Sequence, residues 1–162
     1  MEKPENVDDA VSKLSGEHKL IADYAARFAR ARKEQDHNFF LRIGKFAASL
    51  KKDMVRHFEL EELVFFPAAV NTMASYDTTM TVLNFQKEHG LLEKELEYVL
   101  ALEDKKTSGN VNSPMIESLN LFFEKLKVHA RRELVEIFPL IDSNNECRKK
   151  VSEYLKESIP DI

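Results

Sequence analysis

The segments HFELEELVFFP, from His57, and HARRELVEIFP, from His129, share one skeleton: a histidine, a glutamate four residues on (Glu61 and Glu133), and a closing Phe-Pro. About forty residues upstream of each lies a second short match, GEHKLI around His18 and KEHGLL around His89. Four of the five histidines therefore form a duplicated pair, with offsets of 71 and 72 residues between the halves. Imidazole and carboxylate donors without sulfur suit iron, manganese or zinc, and their duplication points to a pair of bound ions.

On an α-helix, residues four apart share a face, so His57 with Glu61 and His129 with Glu133 each offer two donors side by side. A single histidine on an apolar stripe is more often a core or boundary residue than a ligand. Four at duplicated spacing are different, because so many ionisable groups on core-facing stripes cost several kcal/mol per unpaired buried charge. Six residues make the expected ligand set: His18, His57, Glu61, His89, His129 and Glu133. Glu93, four residues after His89, is a candidate extra ligand or an acceptor for an imidazole N–H. Glu62 reads as solvated or as such an acceptor, and Glu17 and Glu88 read as surface acids. Met54 and Leu126, one turn before the paired motifs, are candidate walls of the site or ordinary core. His37, outside the repeat, reads as a solvated loop histidine.

The elements that must position these residues are helical. The chain has 162 residues, 43% hydrophobic and 32% charged, with four glycines, five prolines and no tryptophan, which favours long helices over a turn-rich sheet protein. Apolar residues recur at three- and four-residue steps over residues 7 or 11 to 33, 37–66, 78–102 and 114–138. Asp36 is expected to cap the second helix and Pro67 to close it, while Ser113 before Pro114 looks like the cap of the fourth. Residues 105–112 form the clearest loop. Ser143 and Glu146 have capping-box spacing for a short fifth helix over 144–159. The expectation is all-α: an antiparallel up-down-up-down four-helix bundle over about 7–140, with a short C-terminal extra helix, in one domain spanning 1–162. In such a bundle His18 and His89 face the paired motifs at similar depth.

Several classes recede. The net charge of −4 and scattered basic residues show no nucleic-acid stripe. No apolar run approaches the length of a membrane span, and the start, MEKPENVDDAVSK, has no signal-like apolar core, so a soluble cytoplasmic protein is expected. Cys147 is the only cysteine, which excludes an internal disulfide and thiolate clusters.

His18, His57-x₃-Glu61, His89, His129-x₃-Glu133 and the Phe-Pro endings resemble the hemerythrin family, in its hemerythrin-like or HHE branch, from about residue 11 to 139. The ferritin-like alternative needs Glu three residues before histidines on two helices. Those positions hold Ser15, Met54, Gln86 and Leu126, and only His37 has such a glutamate, Glu34. The resemblance implies two iron ions, oxo- or hydroxo-bridged, with manganese or zinc as alternatives. The family's oxygen carriers have a second histidine where this chain has Glu93, and an aspartate where it has Leu134. The four-His, two-Glu set is closer to the family's iron-sensing and iron-sulfur-repair members. The repair members carry an N-terminal cysteine-containing region, whereas here a short acidic lead is expected before the bundle. The expected function is a non-haem di-iron protein that binds or senses a small diatomic ligand (O₂ or NO) or iron. The alternatives are a di-iron redox enzyme, for peroxide breakdown or iron-sulfur cluster repair, and an interaction module with a structural metal. A binding role is favoured over that of a classical enzyme, and no protein partner is indicated.

Overall fold

The computed structural model describes the backbone of residues 7–105 and 111–158 and is helical almost throughout. In chain order the helices are α1 (Val7–Glu34), α2 (His37–Leu41), α3 (Ile43–Leu60), a π-helical turn (Glu61–Phe65), α4 (Phe66–Thr72), α5 (Tyr76–Ala101), a 3₁₀ turn (Leu102–Lys105), α6 (Ser113–Glu136), α7 (Phe138–Ser143) and α8 (Asn145–Ser158). No strand occurs among the described residues, and no helix among them is long and apolar enough to cross a membrane. Most of the predicted 105–112 loop lies outside the described residues, as do residue 159 and the first six residues of the acidic lead.

The predicted second helix is in fact three pieces. Asp36 caps it as expected, accepting from the Phe39 N–H at 3.0 Å, but the chain breaks at Arg42 (φ −107°, ψ 15°) before α3 begins. Nor does Pro67 end the helical path. The π turn intervenes and α4 restarts with Pro67 in its first turn, where a missing N–H costs no hydrogen bond. The cap of α6 is Asn112 rather than Ser113: its side-chain oxygen accepts from Met115 N–H at 3.2 Å and its amide donates to the Leu102 carbonyl at 2.7 Å. Asn144, not Ser143, caps α8 through the Cys147 N–H. At the end of α1 the chain reverses through Gln35 (φ 51°), with Asp36 N–H reaching back to the Ala31 carbonyl, the pattern usually served by glycine.

Side-chain contacts fix the neighbours. Glu17, Tyr24 and Phe28 of α1 meet His57, Asp53 and Phe46 of α3 in opposite order. Phe58 and Lys51 of α3 meet His89 and Glu97 of α5, and Glu88 and Glu95 of α5 meet His129 and Lys125 of α6. The result is a helical bundle with two buried apolar clusters. One contains Ile21, Phe28, Leu50, Met54, Phe58, Leu92, Leu96, Leu119 and Leu126. The other contains Leu14, Phe65, Phe66, Phe85 and Ile137, and is sealed by Cys147, Val151 and Leu155 of α8.

On every long helix the predicted ligands fall where one cluster gives way to the other: His18 between Leu14 and Ile21, His57 and Glu61 between Met54 and Phe65, His89 between Phe85 and Leu92, His129 and Glu133 between Leu126 and Ile137. The core is thus two apolar blocks separated by a polar layer. Asn112 tests the account of the far end. Asn112→Ala removes a helix cap and strands the buried Leu102 carbonyl, so thermal or urea unfolding should show a loss of about 1–2 kcal/mol, whereas Ser113→Ala should change little.

Candidate metal centre

Glu61 and Glu133 are completely buried, and His57, His89 and His129 nearly so, while the His18 side chain is 16% exposed. The imidazoles direct Nε2 toward the two carboxylates. His57 Nε2 lies 3.1 Å from Glu61 Oε1, His89 Nε2 lies 3.1 Å from Glu61 Oε2 and 3.3 Å from Glu133 Oε1, and His129 Nε2 lies 2.7 Å from Glu133 Oε1. His18 Nε2 sits between the carboxylates, 3.4 Å from Glu61 and 3.6 Å from Glu133.

Two overlapping groups result, His18–His57–Glu61–Glu133 and Glu61–His89–His129–Glu133, each with one donor atom per residue all within 4.8 Å of one another. Both glutamates belong to both groups. Three of the inward atoms, Glu61 Oε2, Glu133 Oε2 and His129 Nε2, are buried without any aligned hydrogen bond. Buried polar atoms left so are completed by bound water or an ion, and the donor set of imidazole and carboxylate fits iron, manganese or zinc.

Behind the imidazoles stands a layer of carboxylates, of which the sequence reading offered only Glu62 as an acceptor. Glu17 and Glu88 are not surface acids. Glu17 is 8% exposed and accepts from His57 Nδ1 at 3.3 Å, and Glu88 accepts from His129 Nδ1 at 2.6 Å. Glu62 accepts from His89 Nδ1 at 2.9 Å. A proton fixed on Nδ1 leaves Nε2 as the lone-pair nitrogen of a neutral ring, and the carboxylate raises that nitrogen's basicity. Arg56 and Arg132 in turn flank Glu17 and Glu88. In the sequence, Glu17 and Glu88 each immediately precede an upstream histidine, and that duplication was the available signal. Each serves the histidine of the neighbouring helix rather than its own.

Glu93 belongs to neither group, and Glu62 occupies the place at His89 that the sequence left open to it. Burial, and then the nearby Glu62 charge, push the Glu93 carboxyl up. His37 is exposed at the start of α2. Met54 is fully buried in the apolar core; Leu126 is buried there too and also lines a cavity of about 540 Å³ that reaches His18, His57 and His129 between α1 and α6.

The structure is therefore that of a helical bundle whose core gathers a histidine–glutamate cluster that could hold a metal ion. The family model of the hemerythrin HHE cation-binding domain matches residues 9–141, and the chain belongs to this family. No curated protein and no solved structure gives a significant match.

The electrostatics of the metal-free cluster set its response to pH. Burial opposes charging of His57, but Glu17 and Glu61 outweigh it and raise the pKa to about 9. For His89, burial is likewise outweighed by Glu133 and Glu61, and the pKa rises to about 10. Burial acts to raise Glu61, yet the facing imidazoles of His18, His57 and His89 hold it well below its ordinary 4.5. The histidine contribution is complete below the ordinary value of 6.5 and is lost as pH climbs through 9 to 10; the Glu61 contribution is lost on acidification below 4.5. Metal-free protein should accordingly melt at its highest temperature between about pH 4.5 and 6.5 and lose stability toward about pH 10. Scanning calorimetry of chelator-treated protein across that range checks this; a flat melting temperature up to pH 10 contradicts it.

Proposed function

We propose that this chain is a non-haem di-iron protein, built as one four-helix up-down-up-down domain, that binds or senses a small ligand such as O₂ or NO, or iron itself. The observation that carries the reading is the sharing of Glu61 and Glu133 by two four-donor groups, three of whose inward atoms, Glu61 Oε2, Glu133 Oε2 and His129 Nε2, lack an aligned hydrogen bond. His18 and His57 would hold one ion and His89 and His129 the other, with Glu61 and Glu133 within reach of both groups. Bound iron supplies a reversible one-electron couple and coordination positions beyond those six side chains. The chain's own part is to present the four imidazole Nε2 atoms inward, to hold three of those rings at Nδ1 through Glu17, Glu62 and Glu88, and to bury the two shared carboxylates between the apolar clusters. Manganese and zinc suit the same donors.

A second reading, a redox enzyme acting on peroxide, draws on the same cavity, since the space of about 540 Å³ beside His18 and His57 admits peroxide as readily as a diatomic gas.

Anaerobic loading with Fe(II), metal analysis and O₂ or NO titration followed by visible absorption test the first reading. About two irons per chain and a spectral response are expected, both lost in Glu61→Ala; a chain that takes up no iron, or responds to neither gas, contradicts it. Peroxide turnover above that of free iron, lost in the same variant, identifies the enzyme.

A further inference from the structure

The two halves of the centre match in their ligands but not in what holds the ligands. Superposing the repeats at the offset between His57 and His129 pairs Glu61 with Glu133, Phe66 with Phe138, Phe58 with Ala130, and Glu62 with Leu134. The last two pairs differ in kind. His89 is stacked on Phe58 at 3.9 Å and 11°, flanked by Phe66 at 5.5 Å, and hydrogen-bonded at Nδ1 by Glu62. His18 keeps only the matching Phe138, an edge contact at 5.4 Å, and the neighbouring His57 ring.

Among the described residues no carboxylate accepts from His18 Nδ1; its polar contacts run through Nε2. Where the repeat would place a ring and a carboxylate stand Ala130 and Leu134, and both line the cavity that opens on His18. Leu134 is itself 58% exposed. Both imidazoles of the second half have an anchored Nδ1, whereas in the first half only His57 has one, and among the described residues no carboxylate anchors Nδ1 of His18.

We propose that the two half-sites hold metal unequally: the His89/His129 half binds first and tightly, and the His18/His57 half binds second and releases readily, because Ala130 and Leu134 leave His18 unsupported. The inference rests on the metal reading above and extends it, since a weakly held second ion makes occupancy follow the surrounding metal concentration. A carboxylate behind a ligating imidazole typically changes metal affinity by about 10–100-fold, which sets the expected gap between the two steps.

The test uses the full chain, stripped with chelator and titrated anaerobically with Fe(II) against a competing chelating dye. Two steps separated by about 10–100-fold are expected. His18→Ala should abolish the weak step and leave the tight one. Leu134→Glu, and to a smaller extent Leu134→Gln, should strengthen the weak step toward the tight one; Glu62→Leu, at a half-exposed position, should weaken the tight step. Two equal steps in the native chain, a tight step lost in His18→Ala, or no movement in either Leu134 variant overturns the proposal. A chain that binds no Fe(II) overturns the metal reading itself.

Discussion

Two carboxylates with no access to water, Glu61 and Glu133, stand at the centre of an otherwise apolar bundle, and the rest of the structure is arranged around their cost. An unpaired buried carboxylate is unfavourable by several kcal/mol, and removing one partner of a buried set is worse than never having built it. Four imidazoles surround the pair, three carboxylates stand behind them at Nδ1, and two arginines stand behind two of those. Charge thus alternates outward from the core to the surface. The apolar clusters above and below cannot merge, because each long helix must spend a turn of its core-facing stripe on this layer.

The layer also explains where the helices break. Adjacent helical residues point about 100° apart, so Glu61 and Glu62 can serve different neighbours, the first reaching the shared centre and the second reaching His89 on α5. The π turn opens at Glu61, immediately after α3, and π-helical turns are frequent at functional sites. In the second half, Glu133 sits within regular α6 and the break comes at Ile137. Two different backbone devices bring equivalent carboxylates to one place, and in both a proline follows in the first turn of the next helix.

Helix type and the six inward donors were legible because both are periodic: His57 and Glu61 share a face by spacing alone, and duplication separates them from chance core histidines. Which element lies across from a residue is not periodic. Glu17 and Glu88 lie next to His18 and His89, off the inward stripe, and so read as surface acids. Their role appears only when α3 is set beside α1 and α6 beside α5. The cap at Asn112 was missed by one position for a related reason. Ser113 has the better local signature before Pro114, but Asn112 also reaches the Leu102 carbonyl, a contact that no local pattern encodes. Arg42, where the second helix breaks, is itself neither glycine nor proline, and the nearest such residue, Gly44, lies already inside α3.

The asymmetry of the supports has a consequence beyond metal affinity. A ring such as Phe58 and a carboxylate such as Glu62 do two jobs at once, fixing an imidazole and filling the space beside it. Ala130 and Leu134 do neither, so the partial exposure of His18 and the cavity between α1 and α6 arise from the same two residues. An approach to the centre cannot be opened at this position while His18 is held as His89 is held, because the groups that would hold it would occupy the approach. Access and firm support of the imidazole are alternatives here, and the chain places access at His18 and firm support at His89.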